Sequence, residues 1–79
     1  MSLKIYDLPD RQRHIFLILH NFIRDHGISP SLRELVGLSG MNRSTMLTHL
    51  RDLEKKGYIG RRQVNERAFF ISEEVESLV

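Results

Sequence analysis

The apolar pattern of this chain changes period at Gly57, and that switch limits its fold more than any other feature. Before Gly57 the apolar residues recur every three or four positions, as on a helix face; after it they alternate, as in a strand. Three helices are expected upstream. The first starts near Pro9, a residue tolerated in a first turn, with Asp10 favourable at the positive end of the helix dipole. It ends near Gly27, and Ile15, Ile18, Leu19, Phe22 and Ile23 form its core face, with Leu17 pointing away. Ile28-Ser29-Pro30 is a turn, and Ser31-Leu32-Arg33-Glu34 fits a capping box in which Ser31 and Glu34 satisfy each other's amides. A short second helix follows with Leu32, Leu35 and Val36 inward, and Gly37 and Gly40 end it within two turns. Asn42 then caps a third helix that runs to about Lys56, stops at Gly57 and buries Met46, Leu50 and Leu53.

Beyond the switch, Tyr58–Arg62 and Ala68–Ile71 read as two strands, joined by a hairpin loop at Gln63–Glu66 with Asn65 suited to a left-handed position. Ile59, Phe69 and Ile71 are the residues expected to close the core. The fold class is mainly α with a small β-hairpin, a three-helix winged helix-turn-helix. The competing arrangement is a helical bundle with a decorative hairpin. With 79 residues the chain holds one domain, with an ordered core at about 8–71 and an acidic tail at 72–79 that forms a last helical turn or frays. The opening Met1-Ser2-Leu3 reads equally as native sequence or as a cloning remnant.

The absence of cysteine excludes disulfide and thiolate metal staples and suits a reducing, cytoplasmic setting. The longest apolar run, Ile15 to Leu19, is far short of a membrane span, and no signal peptide is visible. Net charge is only +2, but it is unevenly placed. Met1–Met41 nets +1, Asn42–Ile71 nets +4, and Ser72–Val79 nets −3. A basic third helix and hairpin make a phosphate-facing surface, or else a solvated charged face.

Opposite the buried stripe of the third helix lie Ser44, Thr48, Arg51 and Lys55, with Asn42, Arg43 and Thr45 at its leading end. A helix that enters the major groove needs such a face. Arg43 can pair bidentately with guanine, and Ser44, Thr45 and Thr48 can bond base edges or phosphates. The plainer reading is helix capping, which suits Asn42 best. On the hairpin, Arg61, Arg62 and Arg67 can grip backbone or enter the minor groove, although edge-strand charges also simply block aggregation. Alternation puts Arg61 and Arg62 on opposite faces.

No catalytic pattern competes. His14, His20 and His26 are spaced by six, about 240° apart on a helix, so they cannot converge on one metal. His49 flanks the buried stripe as a packing residue or a phosphate donor. There is no glycine-rich phosphate loop, no H-E-x-x-H and no nucleophile motif. The sequence therefore predicts no enzyme, no cofactor, no metal, no evident small-molecule ligand and no membrane partner.

The chain also resembles the N-terminal DNA-binding domain of LexA-type repressors. The matching pieces are Leu8 with Arg11-Gln12; Gly27–Ser31 with Arg33-Glu34-Leu35; Ser44-Thr45 with His49-Leu50, Leu53 and Lys56–Ile59; and Arg67-Ala68. The resemblance implies a domain that reads operator DNA with its third helix, through Asn42, Arg43, Ser44, Thr45 and Thr48, with Arg67 near the wing. Three departures stand out: the stretch from Glu34 to Thr45 is short; Leu17 and Phe70 are apolar where the family tends to be polar; and no self-cleaving serine/lysine protease domain follows. The reading is therefore an excised domain or a stand-alone prokaryotic or viral regulator. Its expected partner is double-stranded DNA, bound with sequence specificity as a repressor. A winged-helix protein-interaction module is the alternative. A homodimer, loose in solution and reinforced on DNA, is expected, with one or both of Leu17 and Phe70, taken as the only large exposed apolar residues, at its contact.

Overall fold

A computed structural model describes residues 2–62 and 67–76. A single 3₁₀ turn, Ile5–Asp7, precedes three helices, α1 (Asp10–His26), α2 (Leu32–Ser39) and α3 (Arg43–Lys55). Two short strands follow, β1 (Ile59–Arg61) and β2 (Phe69–Ile71), paired antiparallel with Gly60 opposite Phe70. This is the winged helix-turn-helix arrangement. The expected loop at 63–66, including Asn65, lies outside the described residues.

Local capping explains the helix limits. Pro9 stands at the N-cap of α1, and Gly27 closes it in the left-handed region at φ 73°. At α2 the capping box is complete: the Ser31 hydroxyl accepts from the Glu34 amide at 3.1 Å, and Glu34 Oε1 accepts from the Ser31 amide at 2.9 Å. Gly37 is tolerated inside α2, which ends only at Gly40. The Asn42 side chain accepts from the Thr45 amide at 2.8 Å and starts α3.

The core collects Ile15, Phe16 and Leu19 from α1, Leu35 from α2, Met46, Leu50 and Leu53 from α3, and Tyr58, Ile59 and Phe69 from the hairpin segment, with Leu8 beneath them. Ile71 is half-buried against this cluster. Two expectations for α1 need correction. Phe16, not Phe22, fills the centre and meets Tyr58 edge-on at 6.0 Å. Phe22 is half-buried and packs its ring on His26 at 4.3 Å. Leu17 is half-buried, not exposed. The reason is shared: α1 packs against both α2 and α3, so its covered arc is broad and is centred on Gln12, Ile15, Phe16 and Leu19.

The tail also departs from expectation. Leu3 pairs with Val75 in a parallel bridge, its amide donating to the Glu74 carbonyl at 2.7 Å and its carbonyl accepting from the Glu76 amide at 2.8 Å. Leu3 and Val75 both pack on the core. The Tyr58 hydroxyl donates to the Lys4 carbonyl at 2.6 Å, so the first residues are seated on the joint between α3 and β1.

Candidate nucleic-acid interface

The outward face of α3 follows from its inward one. With Met46, Leu50 and Leu53 fully buried, the helix turns Arg43, Ser44, Thr48, Arg51 and Lys55 to solvent, while Thr45 is half-buried. Asn42 performs the cap described above. The Thr48 hydroxyl donates to the Ser44 carbonyl one turn back at 3.1 Å, which orients it and leaves its oxygen able to accept. These side chains are short or basic, so a groove edge can approach the helix closely.

Arg43 is joined by a residue that the sequence reading did not single out. The first turn of α2 faces the start of α3 across an open cleft of about 490 Å³ lined by Ser31, Leu32, Arg33 and Arg43. Both arginines are exposed. Two arginines thus line one space at the start of α2, an arrangement suited to a phosphate. The available signal was position: Arg33 is the second residue of a capped helix.

On the hairpin the two adjacent arginines take opposite faces, as alternation requires. Arg61 lies over the Phe69 ring at 5.1 Å and 3.7 Å from Glu54 of α3. Arg62 lies over the Phe70 ring at 4.8 Å. That ring rests on Gly60: a Cβ there would meet Phe70 Cζ at 2.2 Å, so a larger residue would push the ring aside. Phe70 is still 37% exposed, and Tyr6, Leu38 and Ile28 are more so. The expectation that Leu17 and Phe70 alone are exposed apolar residues is therefore wrong.

The chain matches the family described as the LexA DNA binding domain over residues 5–68. It belongs to that family. It is 38% identical to the LexA repressor of Thermotoga maritima over 73 residues, covering 92% of this chain and 37% of that protein. Identity to the LexA repressor of Desulfitobacterium hafniense is 43% over 68 residues, covering 82% of this chain and 32% of that protein. With that of Thermobifida fusca it is 36% over 62 residues, covering 77% and 25%. The chain spans about a third of the length of the curated relatives it matches.

In this LexA-family domain the polar residues that hold the site are mostly long-range. Gln12 is buried in α1; its Nε2 donates to Asp52 Oδ2 at 3.1 Å, and its Oε1 accepts from Lys56 Nζ at 2.8 Å. One amide thus fastens α1 to the end of α3. Arg67 is exposed and fastened to the helices before α3: its Nη1 donates to the Ser29 carbonyl at 3.1 Å and to Glu34 Oε1 at 2.5 Å. The Ser31 amide and Arg67 together hold the Glu34 carboxyl below its usual range. His49 is half-buried, and its Nδ1 meets no hydrogen-bond partner among the described residues. His20 lies along the Phe16 ring and His26 along Phe22. Among the described residues no group of three His, Cys, Asp or Glu stands together, and no helix is long and apolar enough to cross a membrane.

Proposed function

We propose that this chain binds double-stranded DNA with sequence specificity, as the reading part of a transcriptional repressor. The observation that carries the reading is the face of α3, where Arg43, Ser44, Thr48 and Arg51 are exposed directly behind a fully buried Met46-Leu50-Leu53 stripe. α3 enters the major groove, Arg43 and Thr48 read base edges, and Ser44, Thr45 and Arg51 assist. Asn42 shapes the start of the helix. Lys55, Arg61 and Arg62 hold backbone, as does Arg33 from α2. The names of the relatives support the class of regulator. No step of the reading needs a cofactor, a metal or a catalytic group, and a cytoplasmic site of action fits it.

Reading and anchoring separate by mutation. Arg43→Ala and Thr48→Ala change base preference, each costing ~1–3 kcal/mol at a preferred site. Arg62→Ala weakens all duplexes alike. Binding-site selection on the three variants checks this, and unchanged preference in both helix variants would remove α3 as the reader.

One domain of this size covers about half a turn of DNA, so two copies on a two-fold site give the specificity that a genome demands. Half-buried Leu17 is a poor contact for such a pair. Phe70 with Ile28, which line one groove between β2 and the α1–α2 turn, is the better one. Sedimentation of the DNA complex is expected to give two copies per site for the unmodified chain and fewer for Phe70→Glu. One copy per site in both would end the dimer proposal.

A further inference from the structure

The basic wing contains one arginine whose position fits holding the hairpin better than holding DNA. A two-stranded hairpin is marginal without outside packing. β1 is anchored because it leaves α3 directly through Tyr58, whereas β2 is fastened through buried Phe69 and through Arg67, two residues ahead of it. Among the described residues the Arg67 guanidinium reaches the Ser29 carbonyl in the α1–α2 turn and Glu34 in the first turn of α2. Glu34 Oε1 also accepts the Ser31 amide of the capping box. The same carboxylate oxygen therefore caps the start of α2 and ties down the wing.

We propose that Arg67 is a positioning residue: its bonds to Glu34 and Ser29 set the wing against α2, and through α2 against DNA lying on α3, and Arg67 is not a phosphate anchor. This rests on the DNA reading above. Exposed ion pairs usually add little stability, so the role is geometric. A charge-assisted bond shared with a carbonyl fixes direction where a single long side chain would swing.

The sign of one variant separates positioning from anchoring. Glu34→Gln removes a negative charge, which by electrostatics alone strengthens binding to DNA. If Glu34 holds the wing through Arg67, the same change weakens binding. Duplex affinity is measured against salt for E34Q, R67Q, R67K and R62Q, using one mixed-sequence duplex. Helical circular dichroism confirms that each variant is folded. E34Q and R67Q are each expected to lose about ten-fold in affinity, and the double variant no more than either alone. Their slopes of log affinity against log salt stay at the wild-type value. R62Q, an anchor, flattens the slope by about 0.9. R67K keeps the charge without the planar fork and shows the wild-type slope with reduced affinity.

Amide exchange in the free proteins gives a second readout. E34Q and R67Q are expected to speed exchange at Gly60 and Phe70. The proposal is overturned if R67Q flattens the slope by about 0.9 while E34Q binds as well as wild type or better. It is equally overturned if both variants keep wild-type protection of the wing amides. Failure of the wild-type chain to bind any duplex at low salt would sink the DNA reading instead, and the exchange data alone would then decide whether Arg67 holds the wing.

Discussion

Raising monovalent salt from about 50 to about 200 mM weakens duplex binding by roughly 10³-fold. The size follows from the cations that the fold turns outward. Arg43, Arg51 and Lys55 lie exposed on or at the end of α3, Arg33 faces Arg43 across the cleft, and Arg61 and Arg62 are on the wing. Each neutralised phosphate contributes about 0.9 to the slope of log affinity against log salt, so six contacts give about five. Arg61 is the weakest of the six because Glu54 stands 3.7 Å away and competes for it. Arg67 adds nothing to this count if its guanidinium stays on Glu34. A slope near five by titration is therefore expected, and one above about six would return Arg67 to the phosphates. Binding indifferent to salt would favour a protein surface as the partner.

What was legible in the sequence was what local chemistry decides. The capping box at Ser31 and Glu34, the Asn42 cap and the glycine stops depend on residues within one turn, so spacing alone predicts them. The α3 stripe was legible because Met46, Leu50 and Leu53 recur at helical spacing while, of the residues between them, only Leu47 is a large apolar one, which leaves one inward face. The fold class and the exposed face of α3 followed from these. Segment α1 offered no such contrast. Its run Ile15-Phe16-Leu17-Ile18-Leu19 is apolar all round, so two stripes fit helical spacing equally. Only the docking of α2 and α3 selects the one through Phe16. The polar fasteners were hidden for a different reason. Gln12 meets Asp52 and Lys56 at separations of 40 and 44 residues, and Arg67 meets Glu34 at 33. Periodicity carries no trace of pairings so distant, and a lone arginine on a hairpin reads as a ligand for phosphate until its partner is seen. The docking of Val75 on Leu3 escaped for the same reason.

The two candidate stripes of α1 also give the largest expected loss of stability. Phe16→Ala is expected to cost ~3–5 kcal/mol, because the ring is fully buried and its removal leaves a cavity among residues from several elements. The Tyr58 ring, met edge-on at 6.0 Å, loses its partner in the same change, which weakens the joint from α3 to the wing. A domain of this length has a total stability of only roughly 4–12 kcal/mol, so the variant lies close to unfolding at room temperature. Phe22→Ala removes an equally large ring from nearly two turns further along α1 but a half-buried one, whose ring contact is the exposed His26, and about 1 kcal/mol is expected. Urea unfolding of both variants, with midpoints compared at constant slope, measures the difference. Comparable losses would mean that both stripes are buried and that α1 is set at another rotation. With Phe16 decisive, the rotation of α1 that brings Gln12 onto Asp52 and Lys56 is fixed by the same packing. Core and polar fastener then hold α3 at a single angle, which reading DNA requires.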